Sequence, residues 1–188
     1  LGRNISKTDN FEVMATVNGT DTKFYYYHGQ WTEAHTIIVD LDDTFIRTPF
    51  QDNHKKRLRE STVAVIGVGS GGSRMVVGLA RDGVGSFRLV DPDIVAIQNI
   101  SRHECTLLDL ERFKVEAVKE RILSVNPLAK VEVFPVDIFK ENLKAKNQVF
   151  NGANLVIAAT DAKSVQMRIN SECWKRKIPS LYTGCYDE

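Results

Sequence analysis

The chain has 188 residues, of which 43% are hydrophobic and 26% are charged, and its formal net charge at pH 7 is +1. This is the composition of an ordinary globular protein, and the near-neutral balance gives no electrostatic reason to expect nucleic acid, DNA included, or a membrane surface as a partner. Three widely spaced cysteines indicate neither a disulfide framework nor a zinc cluster. No apolar run approaches the roughly 20 residues that span a bilayer, and the polar start is not a signal peptide, so we expect a cytoplasmic protein.

Residues 1–50 are predicted to form a β-rich extension, and residues 51–188 the main domain. Runs of β-forming residues at 11–17 and 23–27 flank Asn18-Gly19, which predicts a hairpin whose turn is somewhat longer than two residues.

A third β-forming run, residues 35–40, ends in Asp40-x-Asp42-x-Thr44. This is the spacing of the nucleophile motif of haloacid-dehalogenase-type phosphatases. The next strand of the chain follows too closely to leave room for the sheet that such an enzyme needs after its motif. We therefore interpret these acids as a solvated turn.

A buried strand, a glycine turn and a helix follow one another from Val63 onward. Val63 to Val68 is a short apolar run rich in β-branched residues, as in a parallel strand covered on both faces. Gly67, Gly69 and Gly72 form a G-x-G-x-x-G pattern, which permits a tight turn, close approach to a phosphate and helix-on-strand packing. A helix predicted from about Gly71 to Asp82 points its first N–H groups at an anion in that turn.

Acidic residues follow two of the later predicted strands. Ser86 to Val90 is followed by Asp91, and Leu155 to Ala159 is followed by Thr160 and Asp161. Carboxyl ends of parallel strands share one edge of a sheet, so both acids are expected near the glycine turn. Asp91 suits the hydroxyls of a ribose, whereas Asp161 suits Mg²⁺ or caps the helix predicted after it.

The remaining segments complete an alternation of strands and helices. Polar residues 50–59 are predicted to be a helix or turn, and residues 92–108 an irregular functional loop. The helix predicted at 110–125 has apolar residues at helical spacing that should face the sheet: Phe113, Ala117, Val118, Ile122 and Val125. Further elements are a strand at 131–136, a short helix at 139–149, a helix at 162–175 and a strand at 179–182. This order predicts an α/β fold with a doubly wound, mostly parallel sheet.

Taken together, Val63 to Asp161 resembles the ThiF-type family, the superfamily of ubiquitin-activating enzymes and bacterial sulfur-carrier adenylyltransferases. The motifs that carry the resemblance are Gly67-x-Gly69-x-x-Gly72, Leu89-Val90-Asp91-x-Asp93-x-Val95, Asn99-x-x-Arg102, Lys114 at the start of a helix, and Ala159-Thr160-Asp161-Ala162. The resemblance implies an ATP-dependent adenylyltransferase. In that family, the C-terminal glycine carboxylate of a ubiquitin-like or sulfur-carrier protein, ending in Gly-Gly, attacks the α-phosphate of ATP and releases pyrophosphate.

The resemblance also implies which residues bind ATP. The glycines would cradle the phosphates, Asp91 would hold the ribose hydroxyls with a second acid nearby, and Asn99 with Arg102 would contact phosphate oxygens. The implied set is Gly67, Gly69, Gly71, Gly72, Asp91, Asp93, Asn99, Arg102 and Lys114.

Four residues are implied in catalysis: Arg102, Lys114, Asp161 and Arg47. Lys114 would neutralise charge on the triphosphate, although its pattern alone is that of a solvent-exposed lysine. Asp161 would hold Mg²⁺. Arg47 would enter the site of the partner subunit in a homodimer.

Two features depart from the family pattern. The family usually has glutamine after the arginine of Asn-x-x-Arg, where this chain has His103. The chain also ends before the crossover loop that carries a thioester cysteine in some members and before their metal-binding cysteine pairs. We therefore expect a portion of a longer protein, with a shortened homologue as the alternative, and assign no catalytic role to Cys105, Cys173 or Cys185.

Three other functions remain open at this point. A NAD(P)-dependent oxidoreductase would use the glycine turn and Asp91 equally well, but would leave Lys114 and Asp161 without an obvious role. A catalytically incomplete module could bind a carrier protein without turnover. Within the family, the activated carboxylate could belong to a small molecule or a nucleic acid.

Overall fold

The computed structural model describes residues 12–18, 21–35, 41–45, 50–140 and 143–184. The chain divides into two compact units, residues 1–40 and 41–188. The second unit thus begins ten residues before the predicted boundary, and Phe45 shows why. Its ring is 7% exposed and packs against Gly83, where an added Cβ would lie 3.3 Å from the ring.

The first unit contains an antiparallel sheet of three strands: β1 (Glu12–Asn18), β2 (Asp21–Tyr27) and β3 (Trp31–Glu33). The predicted hairpin pairs β1 with β2, and Asn18 lies opposite Asp21. Only two residues separate these partners, so the prediction of a longer turn is wrong, because Asn18 continues the strand. Of the run predicted at 35–40, all but His35 lies outside the described residues.

The second unit has the predicted doubly wound architecture. Its five strands are all parallel and lie in the order β6-β5-β4-β7-β8. The strands are β4 (Thr62–Ile66), β5 (Ser86–Val90), β6 (Lys130–Phe134), β7 (Leu155–Ala159) and β8 (Ser180–Thr183). The helices are α1 (Asp52–Glu60), α2 (Ser70–Arg81), α3 (Lys114–Val125), α4 (Leu143–Phe150) and α5 (Lys163–Arg176). None of the helices in these ranges has the length and apolar character that crossing a bilayer requires.

Two apolar cores cover the two faces of this sheet, which is why the central strands read as continuous apolar runs. Along β4, Val63 and Val65 belong to the core shared with α2 and α3, whereas Ala64 and Ile66 belong to the core shared with α4 and α5. Side chains alternate across a strand, so both faces of β4 are buried.

Helix α3 is shorter than predicted. It begins at Lys114, after a short 3₁₀ turn at Leu107–Asp109. Ala117, Val118 and Ile122 are fully buried as expected, but Phe113 precedes the helix and is 44% exposed. The expectation that Phe113 faces the sheet is therefore wrong, because the chain is still in the crossover at that residue.

The order in which the chain adds strands to the sheet changes side at β4. The chain passes from β4 to β5 on one side, and later to β7 on the other. The crossovers on the two sides diverge at the carboxyl ends of the strands and leave a crevice, which is where ligands bind in open α/β sheets.

Candidate functional site

A cavity of about 640 Å³ occupies this crevice. Nine of the residues implied by the sequence line it: Gly67, Gly69, Gly71, Asp91, Asp93, Asn99, Arg102, Lys114 and Asp161. Gly72 does not line it, and Arg47 lies outside the described residues. Residues from five separate segments therefore meet around one space.

The glycine turn brings the backbone to the floor of the cavity. Gly67 has φ +91°, and an added Cβ would overlap the carbonyl oxygen of Ala159 in β7. The N-cap of α2 is Gly69, and no side chain caps this end of the helix. Its first N–H groups, which have no partner within the helix, are consequently available to an anion.

Gly72 has a packing role in the fold, while its phosphate contact stays a prediction. It lies inside the first turn of α2, where an added Cβ would overlap the carbonyl oxygen of Gly67 and lie 3.2 Å from the Cβ of Ala159. The missing side chain lets α2 approach the sheet closely, and this approach holds the turn in place.

Asp91 ties the glycine turn to the end of β5. Its Oδ2 accepts the N–H of Val68 at 2.9 Å, and its Oδ1 accepts the N–H of Asp93 at 3.0 Å. The side chain is 7% exposed and lies on the cavity wall. Each carboxylate oxygen has a second lone pair, so Asp91 can still accept a hydrogen bond from a ribose hydroxyl.

Lys114 and Asp93 form an ion pair at the cavity. The two atoms Lys114 Nζ and Asp93 Oδ2 are 2.8 Å apart, and the backbone N–H of Lys114 donates to the Asp93 carbonyl at 2.9 Å. Only 11% of the Lys114 side chain is exposed, against 64% for Asp93. The interpretation of Lys114 as a solvent lysine is wrong, because the start of α3 points it into the crevice.

Asn99 and Arg102 reach the cavity from the crossover after β5. Asn99 ends a short 3₁₀ helix, and its Oδ1 accepts the N–H of Ala96 at 2.9 Å. Arg102 is exposed and donates from Nη1 to the carbonyl of Gln98 at 2.8 Å. This crossover thus supplies an amide and a guanidinium to a site whose floor is a helix N-terminus.

Asp161 lies at the carboxyl end of β7. The N-cap of α5 falls on Ala162 and makes no side-chain cap hydrogen bond, so Asp161 precedes the cap. Gln166 donates from Nε2 to the Thr160 carbonyl at 2.6 Å and anchors the turn before the helix. The interpretation of Asp161 as a helix cap alone is therefore not what the structure shows.

The donor set around Asp161 is compatible with Mg²⁺. In the described part of the chain, no group of three or more His, Cys, Asp or Glu residues could hold a metal ion. Magnesium keeps several of its waters and binds through one or two carboxylates and substrate phosphates, so a carboxylate facing a phosphate site fits it.

One wall of the cavity was missed by the sequence analysis. Residues 136–139 line it after β6, where the sequence had predicted the end of a strand and the start of a helix. The Asp137 carboxylate accepts the N–H of Phe139 at 2.9 Å, and the Arg168 guanidinium lies 4.7 Å from the centre of the Phe139 ring. The position of this segment, directly after a strand next to β5, was the signal that could have identified it.

Neither described cysteine has the character of a nucleophile. Both are buried, and burial raises the pKa of the Cys105 thiol to about 11, with Asp109 acting in the same direction. Burial also raises the pKa of Cys173. A thiol is reactive as its thiolate, so both are inert at neutral pH. Cys185 lies outside the described residues.

Comparison with known proteins identifies related sequences and folds. The family profile described as "ThiF family" matches residues 43–187. A tRNA threonylcarbamoyladenosine dehydratase of Bacillus subtilis is 40% identical over 126 residues, covering 66% of this chain and 48% of that protein. The sulfur carrier protein ThiS adenylyltransferase of the same organism is 29% identical over 140 residues, covering 73% and 41%. The chain thus spans about half the length of these curated relatives.

A solved structure shares the fold. The tRNA N6-threonylcarbamoyladenosine dehydratase of E. coli, in complex with ATP, superposes with a TM-score of 0.68 at 27% identity. The likeness covers 80% of this chain and 63% of that one.

Proposed function

Because the chain belongs to the ThiF family, we propose that its second unit is an ATP-dependent adenylyltransferase that converts a carboxylate into an acyl adenylate. The observation that carries the proposal is the meeting, around one cavity, of an uncapped helix N-terminus with Arg102, Lys114 and Asp161. An oxidoreductase would need the glycine turn and Asp91, but it would not need two cations and a further acid at the same place.

The proposed reaction uses positioning and charge. A carboxylate oxygen attacks the α-phosphorus of ATP, the bond from that phosphorus to the bridging oxygen breaks, and pyrophosphate leaves with the bonding electrons. Backbone N–H groups at the start of α2 hold phosphate oxygens, while Lys114 and Arg102 stabilise the negative charge that grows on the leaving group. Asp91 holds the ribose and so sets the position of the α-phosphate.

Asp161 would hold Mg²⁺ in this proposal. The metal would supply positive charge to the phosphate oxygens without a proton transfer. Asp93 has a separate role, because it is the counter-ion that keeps the Lys114 ammonium in the crevice before the nucleotide binds.

We propose the C-terminal carboxylate of a ubiquitin-like or sulfur-carrier protein as the substrate. Support comes from the relatives named as a ThiS adenylyltransferase, as adenylyltransferase and sulfurtransferase UBA4, and as ubiquitin-like modifier-activating enzyme 5. The proposal also includes a homodimer in which Arg47 of each subunit enters the other's site.

A carboxylate carried by tRNA is the second candidate. Three relatives are named tRNA threonylcarbamoyladenosine dehydratases, and one of them is 40% identical to this chain. A threonylcarbamoyl group carries a free carboxylate, and the loss of water from it requires an activated oxygen, which adenylylation would provide.

ATP–pyrophosphate exchange tests the function and separates these substrates. The full-length protein is incubated with ATP, labelled pyrophosphate and Mg²⁺, together with small proteins ending in Gly-Gly, with tRNA, or with neither. We expect exchange that depends on a Gly-Gly protein, needs Mg²⁺ and is lost in Asp161→Asn. Exchange only with tRNA would favour the second candidate. Tight binding of NADH without binding of ATP would exclude adenylylation, and ATP binding without exchange in either arm would indicate an incomplete module.

A further inference from the structure

His103 lies behind the glycine turn, where it does not line the cavity. Its side chain is 8% exposed, and its Nε2 is 2.6 Å from the carbonyl oxygen of Val68. The other ring nitrogen, Nδ1, accepts the backbone N–H of Cys105 at 3.1 Å. The imidazole therefore bridges the glycine turn and the crossover that carries Asn99 and Arg102.

These two contacts determine the protonation state of the ring. A carbonyl oxygen only accepts hydrogen bonds, and a backbone N–H only donates them. Nδ1 must consequently be unprotonated and Nε2 must carry the hydrogen, which is one tautomer of the neutral imidazole. An imidazolium would turn an N–H toward the N–H of Cys105 and lose that bond.

The Val68 peptide is held from both sides. Its N–H donates to Asp91 Oδ2 at 2.9 Å, and its carbonyl accepts from His103. Val68 itself is fully buried, so neither group has water as an alternative partner. The next residue, Gly69, is the N-cap of α2, so the orientation of this peptide sets where the helix N–H groups point.

We propose that His103 is a positioning residue for the nucleotide: in its neutral form it locks the glycine turn to the Asn99–Arg102 loop, and its protonation releases that lock. The proposal rests on the proposed ATP site. It also accounts for histidine where the family usually has glutamine, because an amide has the same pair of one donor and one acceptor.

Charged groups around His103 act on it from each neighbouring element. Burial is the largest effect and lowers the pKa of His103 below the ordinary value of 6.5. The hydrogen bond to Val68 acts against this shift, and so do the carboxylates of Asp91 and Glu104. The positive charge of Lys114 in α3 lowers the pKa further. Glu104 is itself paired with Arg74 of α2 at 3.8 Å, and its carbonyl accepts from Arg121 of α3 at 3.3 Å. The ring is therefore neutral at pH 7.

The direction of the pH effect follows from the lowered pKa. The folded protein binds this proton less readily than the unfolded chain does, so the stabilisation is complete above pH 6.5 and is lost as the pH falls through the folded-state pKa. Glutamine in place of His103 has no such proton to take up.

The test compares the wild-type protein with His103→Gln, His103→Ala and the control His54→Gln, which changes an exposed histidine of α1. ATP affinity is measured by calorimetry between pH 7.5 and pH 5. At pH 7.5 we expect the Gln variant to bind like the wild type and the Ala variant to bind about tenfold more weakly, the effect of losing one buried hydrogen-bond partner. Toward pH 5, wild type and His54→Gln should lose affinity that His103→Gln keeps, up to the loss of about tenfold expected of His103→Ala.

Hydrogen exchange provides a readout that does not need ATP. As the pH is lowered, the protection factors of the Val68 and Cys105 amides should decrease in the wild type and stay constant in His103→Gln. The proposal is overturned if His103→Gln loses affinity and protection with acid as the wild type does, or if His103→Ala matches the wild type at pH 7.5. Failure of the wild type to bind ATP would refute the proposed function. The hydrogen-exchange data would still decide whether His103 locks the glycine turn to the Asn99–Arg102 loop.

Discussion

At the scale of single residues, Lys114 is a cation held at the cavity by one ion pair. Its ammonium group lies 2.8 Å from Asp93 on the cavity wall, and 11% of the side chain is exposed. The side chain has little contact with water, so a phosphate that reaches it meets a cation with little desolvation left to overcome.

Lys114→Ala should lower the rate of adenylylation by about 100-fold, as the loss of one cation or donor at a transferring phosphoryl group typically does. The rate is measured by pyrophosphate exchange at saturating ATP. Lys119→Ala is the matched control, because Lys119 lies on the same helix and does not line the cavity. Wild-type exchange in Lys114→Ala would remove Lys114 from the catalytic set.

Two of the residues that the sequence analysis expected at the cavity come just after strands. Asp91 and Asp161 come after apolar strands, and the carboxyl ends of parallel strands lie at one edge of a sheet. The local sequence pattern was therefore enough to predict that these two acids lie near the same crevice. The role of His103 was not predictable, because it depends on two backbone groups, at Val68 and Cys105, that only the folded crossover brings to the imidazole.

At the scale of elements, α2 shows how two glycines of one helix differ. An added Cβ at Gly72 would overlap the carbonyl oxygen of Gly67, whereas one at Gly78 would meet nothing within 4 Å. The first glycine permits the close contact between α2 and the sheet. The second only weakens the helix, since glycine loses more backbone entropy than alanine.

Gly72→Ala should therefore destabilise the protein by about 1–3 kcal/mol, the usual cost of overpacking, and weaken ATP binding by displacing the turn. Gly78→Ala should be stabilising by about 0.5–1 kcal/mol. Urea unfolding of both variants at one pH measures the difference. Equal stability of the two variants would contradict the packing role of Gly72.

The crossover between β5 and α3 is the element that the sequence described least well. A buried acid, Asp109, organises its second half: the N–H of Thr106 donates to Oδ2 at 2.8 Å, and Arg112 and Arg121 form ion pairs with the same carboxylate. Burial raises the pKa of Asp109, but the bonds from Thr106 and Arg121 outweigh it and hold the pKa below 3.8. Such a network has no local periodicity, so a helix was predicted to begin too early.

At the scale of the whole molecule, the alternation of strands and helices was enough to predict the doubly wound class. The boundary between the two units was harder to predict from the sequence. Phe45 lies in a polar stretch, and its burial depends on Gly83, far along the chain. The family profile begins at residue 43, close to the observed boundary at residue 41.

A fragment of residues 51–188 should have an unfolding free energy about 3 kcal/mol lower than a fragment of residues 41–188, the cost of deleting a buried aromatic ring. Phe45→Ala in the full chain is the control and should show the same loss. Chemical denaturation followed by circular dichroism measures all three. Equal stability of the two truncations would argue that Phe45 contributes nothing to the fold.

The most direct test of the proposed chemistry is to identify which bond of ATP breaks. The full-length protein is incubated with ATP labelled at the α-phosphate, with Mg²⁺ and with the carboxylate substrate found by exchange, and the products are separated after acid quenching. We predict that label appears as AMP joined to the substrate, with one pyrophosphate released for each adduct, and that both products disappear in Asp161→Asn. Formation of ADP and phosphate, with no AMP adduct, would contradict the account.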